Sequence, residues 1–115
     1  MIALQPASAP KRSGADLIIH LLERQGVDIV AGIPGGALLP LYEALGRSTR
    51  IRHILARHEQ AAGFIAQGMS RITRKAGVCF ATSGPGVTNV VTALADAKLD
   101  SIPLVCIAGQ VPQAL

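Results

Sequence analysis

Apolar positions along this chain fall into two kinds of run that alternate from one end to the other. Between Ser13 and Gly26, Leu17, Ile18, Leu21 and Leu22 recur at helical spacing. Ser13 followed three residues later by Asp16 has the form of a capping box with the shorter acid, and Gly26 offers the stop. Val27-Asp28-Ile29-Val30-Ala31 then reads as a short strand, broken by Gly32-Ile33-Pro34-Gly35-Gly36. A second helix is predicted from about Ala37 to Leu45, a second strand over Ile51 to Leu55, and an Ala/Gly-rich helix from His58 to about Thr73. Gly77 to Ala81 is a third strand, Thr82-Ser83-Gly84-Pro85-Gly86 a turn, Val87 to about Lys98 a helix, and Pro103 to Ala108 a fourth strand.

This order is one helix, three strand–helix units and a last strand. The strands are continuous apolar runs and do not alternate, so both sheet faces are expected to carry helices. The fold class that follows is α/β, a three-layer parallel sheet flanked by helices and joined by right-handed crossovers. Residues 1–12 are Ala/Pro-rich and read as a flexible N-terminal segment, and residues 13–115 as one domain. Ligands gather at the carboxyl ends of strands in open parallel sheets. The sequence runs only a few residues past such an end, so the domain reads as incomplete at its C-terminus.

A chain of 115 residues has room for one core, and with half its residues apolar and 16% charged it is not disordered. Tyr42, Phe64 and Phe80 are its aromatics, which leaves the core to Ala, Val, Leu and Ile. The net charge of +4 is spread along the chain apart from Lys11–Arg12 and Arg71, Arg74 and Lys75. No aromatics are interleaved with these to stack bases, which argues against a nucleic-acid partner. Cys79 and Cys106 sit inside apolar runs without metal-ligand spacing and read as buried free thiols. No run reaches the ~18 apolar residues of a membrane helix, and residues 1–12 lack a signal peptide's apolar stretch, so a cytoplasmic protein is expected.

Three loops leave the carboxyl ends of predicted strands, Gly32–Gly36, Ala56–Gln60 and Thr82–Gly86, and should meet at one sheet edge. The first and third are rich in Gly and Pro, which lets backbone approach a ligand and bares helix amides, although such loops are also ordinary turns. Familiar phosphate motifs fail. Asn89 stands where the third glycine of a dinucleotide fingerprint would follow Gly84 and Gly86, and no Gly-Lys-Ser/Thr closes a P-loop. His58-Glu59 suggests zinc, but Ala62 occupies the place of the second histidine, and no metal ligand is assigned. Glu59 opens a helix whose N-terminus favours an anion by about 0.3–1 kcal/mol. It reads either as a first-turn glutamate or as a functional carboxylate at the convergent edge.

Taken together, several segments carry a resemblance. Gly32-Ile33-Pro34-Gly35-Gly36-Ala37, Arg57-His58-Glu59-Gln60, Ala81 to Asn89, Asp100 to Val105 and Gly109 to Pro112 are similar in order and spacing to large subunits of acetolactate synthases, thiamine-diphosphate enzymes. The likeness covers nearly everything from Ser13 on, and Ile33 stands where many members carry tyrosine. It implies the pyrimidine-binding domain of such an enzyme, with Glu59 hydrogen-bonded to a ring nitrogen of the cofactor's aminopyrimidine, promoting removal of the thiazolium proton. It also implies that Pro34, Thr82, Gly84 and Pro85 line that pocket with Asn89 close by, and that Gly36 directs an N–H at a substrate oxygen. Ala37, Val111 and Pro112 would line the substrate channel.

The implied reaction decarboxylates pyruvate and condenses the remainder with a second 2-keto acid (pyruvate or 2-ketobutyrate), in branched-chain amino-acid biosynthesis. Magnesium and FAD are implied as further cofactors, held mainly by domains outside this sequence. The implied assembly is a homodimer or higher oligomer with shared sites, and it admits a small regulatory subunit. These residues alone would be inactive. Two alternatives stay open at this point: another thiamine-diphosphate decarboxylase, oxidase or carboligase, and a non-catalytic α/β interaction module. A glyoxylate carboligase is disfavoured, because that enzyme lacks the glutamate that Glu59 supplies.

Overall fold

A computed structural model describes residues 10–114. Residues 1–9 of the expected flexible segment, and Leu115, lie outside the described residues. Helix α1 spans Gly14–Arg24, and its start is the predicted capping box. Ser13 Oγ accepts the Asp16 amide at 3.1 Å, while Asp16 Oδ2 accepts from the Ser13 amide at 3.3 Å and from its hydroxyl at 2.8 Å. The Arg47 guanidinium donates to Asp16 Oδ1 and, with Ser13, holds the carboxyl at about 2. Gly26, at φ +77°, ends the helix in a conformation glycine adopts freely.

These contacts set a pH dependence. The folded-state value of Asp16 lies below the unfolded one, so the stability it adds is present above about pH 4 and is lost as pH falls towards 2. Ser13→Ala is expected to lower stability by about 1 kcal/mol, the usual result of removing an N-cap. Urea unfolding monitored by circular dichroism at pH 7 and at pH 2 checks this, with the difference from the parent narrowing at pH 2. An equal difference at both would show that Asp16 plays no part in the cap.

Strands β1 (Ile29–Gly32), β2 (Arg52–Leu55), β3 (Gly77–Ala81) and β4 (Leu104–Ala108) form one parallel sheet in the order β2-β1-β3-β4. The chain leaves β1 through a 3-10 turn (Gly36–Leu38) and α2 (Leu39–Arg47) to reach the edge strand β2. It returns across β1 through α3 (Glu59–Thr73) to β3, then continues through α4 (Pro85–Leu99) to β4. Moves to opposite sides carry helices on opposite faces, as right-handed crossovers require. Val30, Val78 and Phe80 pack under α1 and α2 against Ile19, Leu41 and Leu45. Ala31, Cys79 and Ala81 face α3 and α4, against Ala62, Ala66 and Val90.

The two faces therefore differ in side-chain size. On the small-residue face helices come close: a Cβ on Gly63 of α3 would lie 2.6 Å from Ala93 Cβ of α4. The α/β sheet flanked by helices is as expected; β2, α3 and β4 each begin one residue later than predicted, and four further differences have visible causes. First, β1 begins at Ile29 and not at Val27, because the Val27 amide bonds back to Leu22 O at 3.0 Å and closes the α1 turn. Second, the predicted second helix opens as a 3-10 turn, with Leu38 N bonded to Gly35 O at 2.9 Å. Pro40 has no N–H for Gly36 O, so regular α-helix starts only at Leu39. Third, α4 begins at Pro85, whose fixed φ suits a first-turn position, so the preceding turn ends at Gly84. Fourth, burial on both faces holds along β3 but not at the edges, where Leu55 is 66% and Val105 45% exposed.

Candidate active site

The chain's connections diverge between β1 and β3, and their carboxyl ends make the crevice of an open α/β sheet. Three loops meet there, one after each of β1, β2 and β3. In the first, a Cβ on Gly35 would fall inside the Thr82 side chain of the third, so the two loops lie in contact only because residue 35 is glycine. Gly84 turns the third loop at φ 64° into the N-terminus of α4. Two positions on, a Cβ at Gly86 would lie 2.7 Å from Thr82 Cγ2 and 3.7 Å from Glu59 Oε1. The missing side chain at Gly86 thus leaves space beside the Glu59 carboxylate.

The second loop delivers that carboxylate. His58 is the N-cap of α3, its Nδ1 accepting the Gln60 amide at 3.0 Å. That bond gives the imidazole of the His58-Glu59 pair a capping role. Glu59 follows as the first helical residue and is half-buried, with Oε2 accepting from Asn89 Nδ2 of α4 at 2.9 Å. The Asn89 bond holds the carboxyl below the ordinary glutamate range, aided by Glu59's own amide and by His58 and opposed by partial burial. Glu59 is therefore ionised at neutral pH. It is an oriented anion, fixed through one oxygen at the end of a long helix, with room beside the other.

Of the residues singled out from sequence, Glu59, Asn89, Thr82 and Gly84 come together at this edge, with Pro34 and Pro85 exposed around it. Gly36 opens the 3-10 turn, exposed, and nothing lies within 4 Å of a Cβ built on it. Ala37 is half-buried against the end of β4, where a Cβ on Gly109 would come within 2.7 Å of Ala37 Cβ. Val111 and Pro112 follow that strand, exposed. Sequence reasoning passed over Gly35 and Gly86 as individual contacts, and over the bond from Asn89 to Glu59. The pairing of Gly86 with Asn89 one helical turn later was the available signal. A hollow of about 530 Å³ lies at the opposite edge of the sheet, lined among others by Val27, Met69, Ser70 and Gly77, away from these loops.

Comparison with known proteins finds similar sequences in one family of enzymes. The sequence is 67% identical over 103 residues to "Acetolactate synthase isozyme 1 large subunit" of Escherichia coli (strain K12), covering 90% of this chain and 18% of that protein. It is 56% identical over 110 residues to "Acetolactate synthase large subunit" of Corynebacterium glutamicum, covering 95% of this chain and 18% of that one. To "Acetolactate synthase, chloroplastic" of Arabidopsis thaliana it is 55% identical over 104 residues, covering 90% of this chain and 16% of the relative. The chain thus spans less than a fifth of the length of these relatives. The sequence model of the family described as "Thiamine pyrophosphate enzyme, N-terminal TPP binding domain" matches residues 12–115. By that match across almost its whole length, this chain belongs to the thiamine pyrophosphate enzymes as their N-terminal TPP-binding domain.

Proposed function

We propose that this chain is the pyrimidine-binding part of an acetolactate synthase that joins pyruvate to a second 2-keto acid, pyruvate or 2-ketobutyrate, in branched-chain amino-acid biosynthesis. The observation that carries the reading is the ionised Glu59, held by Asn89 and opening onto the space left at Gly86. The identity of 67% to the Escherichia coli isozyme 1 large subunit supports this enzyme over other thiamine-diphosphate decarboxylases and carboligases.

The residues present fit one half of the cofactor. Glu59 Oε1 faces a cradle that a Cβ on Gly86 would narrow, between Thr82 and the start of α4. A flat ring with a weakly basic nitrogen suits that space and that charge. Glu59 would accept a hydrogen bond from that nitrogen in its protonated form, which an ionised carboxylate favours and a neutral amide does not. Asn89 keeps the carboxylate turned towards the cradle. Pro34, Thr82, Gly84 and Pro85 make the walls, while Gly36, at a turn N-terminus whose N–H has no partner within the turn, offers an N–H to a substrate oxygen. Ala37, Val111 and Pro112 flank the way in. When bound, thiamine diphosphate supplies the electron sink for decarboxylation and two-carbon transfer.

Among the described residues no group of three or more His, Cys, Asp or Glu is placed to hold a metal ion. We assign magnesium, the diphosphate and FAD to other segments of the complete enzyme, and each site to a pair of subunits in a homodimer or larger assembly. A small regulatory subunit is compatible with that arrangement. No helix among the described residues is long and apolar enough to cross a membrane, and we assign the enzyme to the cytoplasm. These residues alone are expected to be inactive. The test supplies pyruvate, thiamine diphosphate and magnesium to the complete chain and follows acetolactate. Acetolactate formation is the expected result. Acetaldehyde or acetate in its place would assign another thiamine-diphosphate enzyme, and failure to bind the cofactor would leave an interaction module.

A further inference from the structure

Strands β3 and β4 run side by side with Cys79 directly opposite Cys106. Both side chains turn to the α3/α4 face, among Ala62, Ala66 and Val90, and both thiols are free. Neighbouring strands lie about 4.8 Å apart, inside the Cα separation of roughly 4.4–6.8 Å that a disulfide needs. Side chains projecting in parallel keep their Cβ atoms near the strand spacing, slightly beyond the ~3.5–4.5 Å of a relaxed bridge. A small inward tilt closes the gap, and the resulting strained bridge is readily reduced. We propose that Cys79 and Cys106 form a reversible oxidation site, closing to an intramolecular disulfide under peroxide and reopening with a small thiol.

Access sets the order of events. Cys79 is 0% exposed, whereas Cys106 is half-buried, so peroxide meets Cys106 first. Its contact with Cys106 and its burial hold the Cys79 thiol well above its ordinary value, so Cys79 stays protonated. The thiolate thus forms on the sulfur that peroxide reaches. That thiolate attacks one oxygen of hydrogen peroxide, and the O–O bond breaks. Cys106 becomes a sulfenic acid, and the departing hydroxide takes up the thiol's proton as water. The Cys79 sulfur then attacks the Cys106 sulfur, the S–O bond breaks, and hydroxide leaves with the Cys79 proton as a second water. Two thiols are oxidised and one peroxide is reduced.

The bridge would lie just below the site. Ala81, two residues after Cys79, accepts the Gly109 amide at 2.9 Å and leads directly into Thr82. Two thiols serving only as small apolar core residues would form no bond. The complete chain is treated with equimolar hydrogen peroxide, alkylated, and digested without reduction for mass spectrometry. A peptide pair linked through Cys79 and Cys106, abolished by dithiothreitol, is the expected product. Both cysteines alkylated as in the untreated chain, a sulfinic acid at Cys106 beside a free Cys79, or links only to other cysteines would each overturn the proposal. In Cys106→Ser, Cys79 is expected to resist the same treatment at least tenfold longer than in the parent. Equal reactivity of Cys79 would sink the assigned order, and because the linked peptide is read in the parent, the test stands whether or not the variant folds.

Discussion

Gly77→Ala is expected to destabilise the domain by about 3 kcal/mol, the upper range for forcing atoms into a packed interior. Gly77 opens β3, is buried, and donates its amide to Pro103 O at 3.0 Å. A Cβ there would lie 2.6 Å from the carbonyl carbon of Ala66 and closer still to its oxygen. Those atoms are helix backbone, so no side-chain rotation relieves the overlap; α3 must lift from the sheet or β3 must bend. Gly68, two positions beyond Ala66 on the same helix, provides the opposite case. Nothing lies within 4 Å of a Cβ built there. Gly68→Ala is therefore expected to stabilise by about 1 kcal/mol through helix propensity. Urea midpoints followed by circular dichroism should move in opposite directions with unchanged slopes. A Gly77→Ala midpoint equal to the parent's would mean that α3 does not rest on β3 as described.

The same glycines show which parts of the fold were legible in the sequence. Helices and strands were readable because their apolar spacing differs, and the capping box at Ser13 because it is local. The start of β1 was not, since an apolar Val27 looks the same whether its amide serves a strand or a helix turn. The strand order, and with it the exposure of Leu55 on the edge strand, depends on which strands pair, and an apolar run carries no record of its partner. The Ala/Gly content of α3 was plain. Its reason, the close approach of Gly63 to Ala93 and of Ala66 to Gly77, required the packed helices. Glu59 stood out because three strand-end loops converge on it. Its bond from Asn89, thirty residues away, was signalled only by the spacing of Gly86 and Asn89 at the start of α4.

In the complete enzyme loaded with thiamine diphosphate and magnesium, Glu59→Gln is expected to slow deuterium exchange of the cofactor's thiazolium C2 proton by ~10²–10⁴, the range of a general acid–base contribution. The rate of acetolactate formation should fall with it. Glutamine keeps the length and planarity of the side chain, and its oxygen can still accept from Asn89 as Glu59 Oε2 does at 2.9 Å. With the oxygen so engaged, the amide nitrogen faces the Gly86 side, presenting a neutral donor where the parent presents an anion. A ring nitrogen that must be protonated gains nothing from such a donor. Loss of the charge removes only about 0.3–1 kcal/mol of helix-terminus stabilisation, so folding should survive. The sign of the pH effect separates the two roles. Because Glu59's folded-state value is lowered, its contribution to stability is present above the ordinary glutamate value and is lost as pH falls through the lowered one. The variant should lack that component while its C2 exchange stays slow at every pH. Proton exchange by NMR and acetolactate formation both within a few-fold of the parent would reduce Glu59 to a first-turn glutamate paired with Asn89, and would remove the carboxylate from the mechanism.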